Sequence, residues 1–135
     1  MIIKTYVAKN ENLSQVLEFL ENELTNHDCD MKIMISLSVA IEEIFVNVAS
    51  YAYPNSTGNF EIGLDFINDD VLIEIKDKGI EFNPLLKEDP DITLKAEDRS
   101  IGGLGIFMVK KTMDSIEYER KDGMNILSMK KRIKV

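Results

Sequence analysis

Cysteine is nearly absent from this chain. Cys29 stands alone, so no disulfide within the chain and no thiolate metal cluster can form, and a reducing compartment is the expected setting. Histidine is as scarce: the single His27 lies two residues before Cys29 in the polar run TNHDCD, too close in sequence to set a base against a nucleophile. That run reads as a connection between helices. Positive charge is also short, with 16 Lys and Arg against 24 Asp and Glu, a formal net charge of -8 and a pI near 4.7. This balance opposes broad binding to nucleic acid or to an anionic membrane, because phosphate backbones reward clustered Lys and Arg. Basic residues gather only at Lys130, Lys131, Arg132 and Lys134, a solvated strand end. Nowhere do about 18 apolar residues run consecutively, and the opening MIIKTYVAKNEN holds no signal-peptide core, so the protein is expected in the cytoplasm.

What is present fits one compact domain over residues 1–135, with 44% hydrophobic residues to fill a core. Ile2 to Ala8 reads as a strand. Asn10 or Asn12 then caps a helix with Leu13, Val16, Leu17, Leu20 and Leu24 at helical spacing. A long central helix is expected over about Met31 to Tyr53, stopped by Pro54. The period then changes from 3.6 to 2. Phe60, Ile62, Leu64 and Phe66 alternate with polar or small residues, Asn68, Asp69 and Asp70 turn the chain, and Val71, Ile73 and Ile75 alternate again, as a β-hairpin does. From Pro84 to Ser100 periodicity fades into a loop with two acidic clusters and Pro90, and long loops within a compact domain usually serve function. A helix over about Gly103 to Asp114 precedes a second hairpin, SIEYER and MNILSMKKRI, that turns at Lys121, Asp122 and Gly123. The order predicts a two-layer α/β sandwich, mostly antiparallel strands covered by three helices.

Three segments carry chemistry. On the central helix, at about 100° per residue, Ser36, Ala40, Glu43, Asn47 and Ser50 share a narrow face, with Met34, Ile41, Phe45, Val48 and Ala52 opposite. The helix reads as buried on most sides. Glu42 falls about 140° from Asn47, off the stripe, and reads as an exposed charge, so Glu43 is the carboxylate of interest. An Asn carbonyl oxygen suits one position of a magnesium octahedron and a carboxylate one turn away suits a general base, although an ordinary buried Glu and Asn give the same spacing. In DKGIEFNP, Asp77 at a strand end can accept from the exocyclic amine of adenine while Gly79 lets the base come close; a simple turn reads the same. In IGGLGIFMVKKTMD, glycines enter a helix whose unpaired amides and dipole favour phosphate, or form a merely flexible entry. Lys110 and Lys111 read as a solvated face. Arg99 is a reserve phosphate cation or a partner of Asp98 or Glu97. No GKS- or GKT-type phosphate loop occurs, nor a GxGxxG following a strand.

In this order, EEIFVNVASYAYP, DKGIEFNP and GGLGIFMVKKTMD resemble the GHKL superfamily of ATP-binding domains, which has the Bergerat fold. Within it they look most like the small anti-sigma-factor serine/threonine kinases of bacteria. The resemblance implies Glu43 as general base, Asn47 as magnesium ligand, Asp77 with Gly79 at adenine, and Gly102, Gly103 and Gly105, with Leu104 between them, on the phosphate side. It implies a lid between about Pro84 and Ile101. It further implies ATP and magnesium as cofactors, and as partners a STAS-domain anti-anti-sigma protein, phosphorylated on serine or threonine, and a sigma factor. A homodimer is implied too, with no direct contact to nucleic acid or membrane. Tyr51 stands where many relatives have His, Glu81 where a second glycine is common, and Gly123, Met124, Asn125 where relatives often have Gly then Thr beside the adenine. The alternative is a nucleotide-dependent binding switch that transfers little phosphate.

Overall fold

A computed structural model describes residues 1–86 and 103–135. The strands are β1 (Ile2–Val7), β2 (Asn59–Ile67), β3 (Asp70–Asp77), β4 (Ser115–Lys121) and β5 (Met124–Arg132). The helices are α1 (Leu13–Asn26), α2 (Met31–Asn47) and α3 (Gly103–Thr112). All neighbouring strands pair antiparallel in the order β1-β2-β3-β5-β4. This is the expected two-layer sandwich, an antiparallel sheet with three helices on one face.

Alternation fixes which side of the sheet faces the helices. Phe60, Ile62 and Leu64 of β2 and Val71, Ile73 and Ile75 of β3 are buried, as are Leu127 and Met129 of β5. Against them α1 sets Val16, Leu20 and Leu24, and α2 sets Leu37, Ile41, Phe45 and Val48. Each such side chain stabilises the fold by about 1.5–3 kcal/mol relative to exposure. Phe45 meets Phe60 edge to face at 4.9 Å between ring centroids. Both hairpin turns use left-handed backbone where the sequence supplies it: Asn68 has φ 55°, and Asp122 and Gly123 have φ 54° and 76°.

Several local expectations are corrected. Asn12 does occupy the N-cap of α1, but its side chain makes no cap bond; Nδ2 instead donates to the carbonyl of Val7 at 2.8 Å and ties the helix entry to β1. The cap that does form belongs to α2, where Asp30 Oδ2 accepts from the amides of Lys32 and Ile33 at 3.1 and 3.2 Å. The central helix does not stay α-helical to Tyr53, because Val48–Ala52 forms a wider π turn before Pro54. Its burial is one-sided: Met31, Ile35 and Val39 are exposed, and Glu42 is half-buried rather than exposed. By length and composition Met31–Ala52 could cross a membrane, with a mean hydropathy of 1.7. The face packed on the sheet accounts for much of that apolarity.

Candidate functional site

The end of α2, its π turn, the end of β3 and the β4–β5 hairpin enclose a cavity of about 280 Å³. Helix α2 contributes Ile44, Asn47 and Val48, the π turn Tyr51 and Ala52, and α3 Ile106. Strand β3 contributes Ile75 and Asp77, the segment after it Ile80, Glu81, Phe82 and Pro84, and the hairpin Tyr118, Asn125 and Leu127. Apolar walls with a few convergent polar groups are the usual make-up of a small-ligand site.

Asp77 is buried, at 8% exposure, because it continues the inward row Val71, Ile73, Ile75. Its Oδ1 accepts from the amide of Gly79 and from Asn125 Nδ2, each at 2.9 Å; among the described residues Oδ2 accepts nothing. A carboxylate in an apolar wall with one oxygen to spare is an acceptor for a ligand donor. The Asp77–Gly79 turn is therefore real, and it coexists with the cavity. Gly79 also allows the close approach of another part of the chain. A Cβ there would strike Ala52, including its carbonyl carbon at 2.9 Å, and the neighbouring amide of Ile80 donates to the Ala52 carbonyl at 3.0 Å. Gly79 lines a shallow depression that shares Ala52 and Ile80 with the main cavity.

Asn47 and Glu43 are half-buried on successive turns of α2, and neither side chain has a hydrogen-bond partner among the described residues. Asn47 lines the cavity. The Glu43 carboxylate lies against Gly105 in the first turn of α3: a Cβ on Gly105 would collide with Oε2 and stand 3.0 Å from Cδ. The structure thus brings Glu43, Asn47 and the start of α3 together at one end of the cavity, with Asp77 on its wall. Gly103 and Leu104 begin α3, while Gly102, Arg99 and nearly all of the expected lid lie outside the described residues. Lys111 lies over the ring of Phe107, 5.4 Å from its centroid.

Three residues at or beside the site, Tyr118, Arg120 and Tyr53, were not assigned a place there from the motifs, and Asn125 entered only as a departure from the resembled pattern. Tyr118 donates its hydroxyl to Asn125 Oδ1 at 2.6 Å, and Arg120 donates to the Gly79 carbonyl at 2.8 Å. Burial pushes the Tyr118 phenol up, and the nearby charges of Glu81 and Asp77 push it further, so the hydroxyl stays a donor. Tyr53 accepts from the amide of Lys78 at 2.9 Å and donates to the Asn59 carbonyl at 2.6 Å, which binds the chain after the π turn to one end of the β2–β3 pair. Asn125 is buried opposite Asp77. A readable signal existed for it, since Asn125, Leu127 and Met129 form the inward row of β5 and a polar residue in such a row needs a partner.

The geometry agrees with comparisons to known proteins. The family model of the histidine kinase-like ATPase domain matches residues 6–131. The serine-protein kinase RsbW of Bacillus mycoides (strain KBAB4) is 30% identical over 101 residues, 72% of this chain and 63% of that protein. The chain therefore spans somewhat under two thirds of that relative. The serine/threonine-protein kinase BtrW of Bordetella bronchiseptica is 23% identical over 117 residues, 86% of this chain and 82% of that protein. In fold, the solved histidine kinase AdeS of Acinetobacter baumannii covers 100% of this chain with 70% of its own, at a TM-score of 0.55 and 10% identity. With a match along nearly its whole length and the sheet, helices and cavity in place, the chain belongs to the histidine kinase-like ATPase domain family, within the GHKL superfamily.

Proposed function

We propose that this domain binds magnesium-ATP and transfers the γ-phosphoryl group to a serine or threonine of a small partner protein. The observation that carries the reading is the placement of the Glu43 carboxylate, without a hydrogen-bond partner among the described residues, against Gly105 in the first turn of α3 and one turn from Asn47. Bound ATP with magnesium would supply the reactive phosphoryl group and the cation that neutralises its charge. The remaining roles fall to the chain. Asp77 Oδ2 accepts from the adenine amine, and its negative charge disfavours guanine, which presents a carbonyl there. Gly103, Leu104 and Gly105 offer the amides of the first turn of α3 to phosphate, joined by Gly102 and Arg99. Asn47 would supply its carboxamide oxygen to magnesium, with phosphate and water as the remaining ligands. Glu43 takes the proton from the attacking hydroxyl, a role worth about 10²- to 10⁴-fold in rate.

RsbW and BtrW are named as serine-protein and serine/threonine-protein kinases, which supports transfer to protein. The partner is a STAS-fold anti-anti-sigma protein, and the sequestered target a sigma factor, in a cytoplasmic homodimer that regulates transcription. A pull-down from cytosol in magnesium-ATP, comparing wild type with Glu43→Ala and mapping phosphosites by mass spectrometry, tests this. A captured partner phosphorylated only by wild type supports the kinase. A partner captured in an ATP-dependent way but never phosphorylated establishes the binding switch instead.

A further inference from the structure

Asn125 faces Asp77 directly across the β3–β5 ladder, and both are buried in a row otherwise made of Ile75 and Leu127. A carboxamide offers two N–H donors and an oxygen with two lone pairs, and Asn125 uses all four. Nδ2 donates to Asp77 Oδ1 at 2.9 Å and to the Ile80 carbonyl at 2.8 Å. Oδ1 accepts from the Phe82 amide at 3.1 Å and from the Tyr118 hydroxyl at 2.6 Å. Nothing remains for a ligand, so whatever Asn125 does at this cavity it does through another group. That group is Asp77. Both of its protein donors, Gly79 and Asn125, converge on Oδ1, and a carboxylate pinned through one oxygen cannot rotate to present the other elsewhere.

We propose that Asn125 is the positioning residue for nucleobase specificity in this site: it fixes Asp77 so that Oδ2 alone faces the base, as an acceptor that selects an exocyclic amine over a carbonyl oxygen. The proposal rests on the reading of Asp77 as the adenine acceptor. Which way round the Asn125 amide stands is fixed by the Phe82 amide, which can only donate, and the Ile80 carbonyl, which can only accept; the Tyr118 hydroxyl completes the device as a second donor to Oδ1.

The test is calorimetric binding of ATP and of ITP, in which a carbonyl replaces the adenine amine. One hydrogen bond to a charged acceptor predicts that wild type prefers ATP by about 10- to 100-fold. Asn125→Asp sets a second carboxylate where the donor stood, and the ratio of the two affinities near pH 8 should fall to within about threefold of unity. A residue that only supported the fold would weaken both nucleotides together and leave the ratio standing, which would overturn the proposal. If circular dichroism shows Asn125→Asp unfolded, Tyr118→Phe takes its place: it removes one donor to Asn125 Oδ1 and should cut the ratio by roughly threefold or more. An unchanged ratio there overturns the proposal as well. Asp77→Asn separates the two readings. If that variant keeps the preference, the adenine-acceptor reading fails and the role of Asn125 with it; if it loses the preference while Asn125→Asp retains it, only the positioning role falls.

Discussion

Two glycines beside the site are expected to respond to the same substitution in opposite ways. At Gly79 an added methyl would meet Ala52, including its backbone oxygen at 2.5 Å and carbon at 2.9 Å, and the main chain on both sides is tied by the bond from the Ile80 amide to the Ala52 carbonyl. Backbone held this way cannot swing aside. Overpacking costs about 1–3 kcal/mol and the strained hydrogen bond about 1 more. Gly79→Ala should therefore lower stability by about 2–4 kcal/mol, or roughly 8–16 °C in melting temperature at about 4 °C per kcal/mol for a domain of this size. At Gly105 the methyl would meet only the tip of the Glu43 side chain, which can rotate away. Alanine is also the better helix former by about 0.5–1 kcal/mol, so Gly105→Ala should fold as well as wild type or slightly better. Its cost appears in chemistry: a carboxylate pushed off its station loses much of a general base's effect, about 10- to 10²-fold of the 10²- to 10⁴-fold that a base supplies. Melting curves paired with single-turnover phosphate transfer to the partner read both quantities. A Gly105→Ala variant that is stable and transfers phosphate at the wild-type rate refutes the assignment of Glu43. A Gly79→Ala variant that melts with wild type refutes the account of the Ala52 contact.

Glu43→Ala should bind magnesium-ATP within about threefold of wild type by calorimetry while transfer falls about 10²- to 10⁴-fold. Asp77→Asn should weaken ATP by about 10-fold or more, because the amide can present a donor where the adenine amine needs an acceptor; normal affinity would remove Asp77 from the base site. Asp114, after α3, accepts from the Arg132 amide at 2.6 Å and pairs with Lys131, and the backbone hydrogen bond in particular holds its carboxyl below the ordinary 3.8. A depressed folded value stabilises the fold above the unfolded value and loses that contribution as pH falls through the folded one. Asp114→Ala should thus cost about 1 kcal/mol or less at pH 7, a small figure because the side chain is 44% exposed, and the gap to wild type in urea unfolding should close below about pH 4.

The sheet and helices were legible because each obeys one clean period. β2 and β3 set their large inward apolar residues at every second position, α1 repeats Val16, Leu20 and Leu24 every four residues, and the turns carry Asn68 and Asp122–Gly123 where positive φ is needed. Legibility failed where a residue has several available partners. Asn12 was a fair cap by type, yet the Val7 carbonyl lay within reach and took its amide. The π turn was hidden because nothing in VASYA distinguishes a wide turn from a narrow one, and its last residue, Ala52, meets Gly79 and Ile80 from a strand end distant in sequence. At the site, spacing along α2 could single out Glu43 over Glu42, but the meeting of Glu43 with Gly105 depends on how α2 packs against α3, which no periodicity encodes.

The three positions where the chain departs from the pattern it resembles are not scattered. Tyr51, Glu81 and Asn125 come from the π turn, the segment after β3 and strand β5, and all three line the same cavity. Glu43 and Gly105, which keep the pattern, meet at the start of α3. The departures also share a physical character. Each sets a larger or more polar side chain in the cavity wall, and the one of the three that is buried, Asn125, is satisfied entirely by protein groups. On the proposed reading, a site re-lined in this way would keep its phosphate chemistry while changing how firmly, and how selectively, it grips the base, because hydrogen bonds to the base act on binding whereas the Glu43 carboxylate would act on transfer. The two ends can then be separated by experiment: substitutions at Tyr51, Glu81 or Asn125 should move nucleotide affinity and base preference, and substitutions at Glu43 or Gly105 should move the rate of transfer from bound nucleotide.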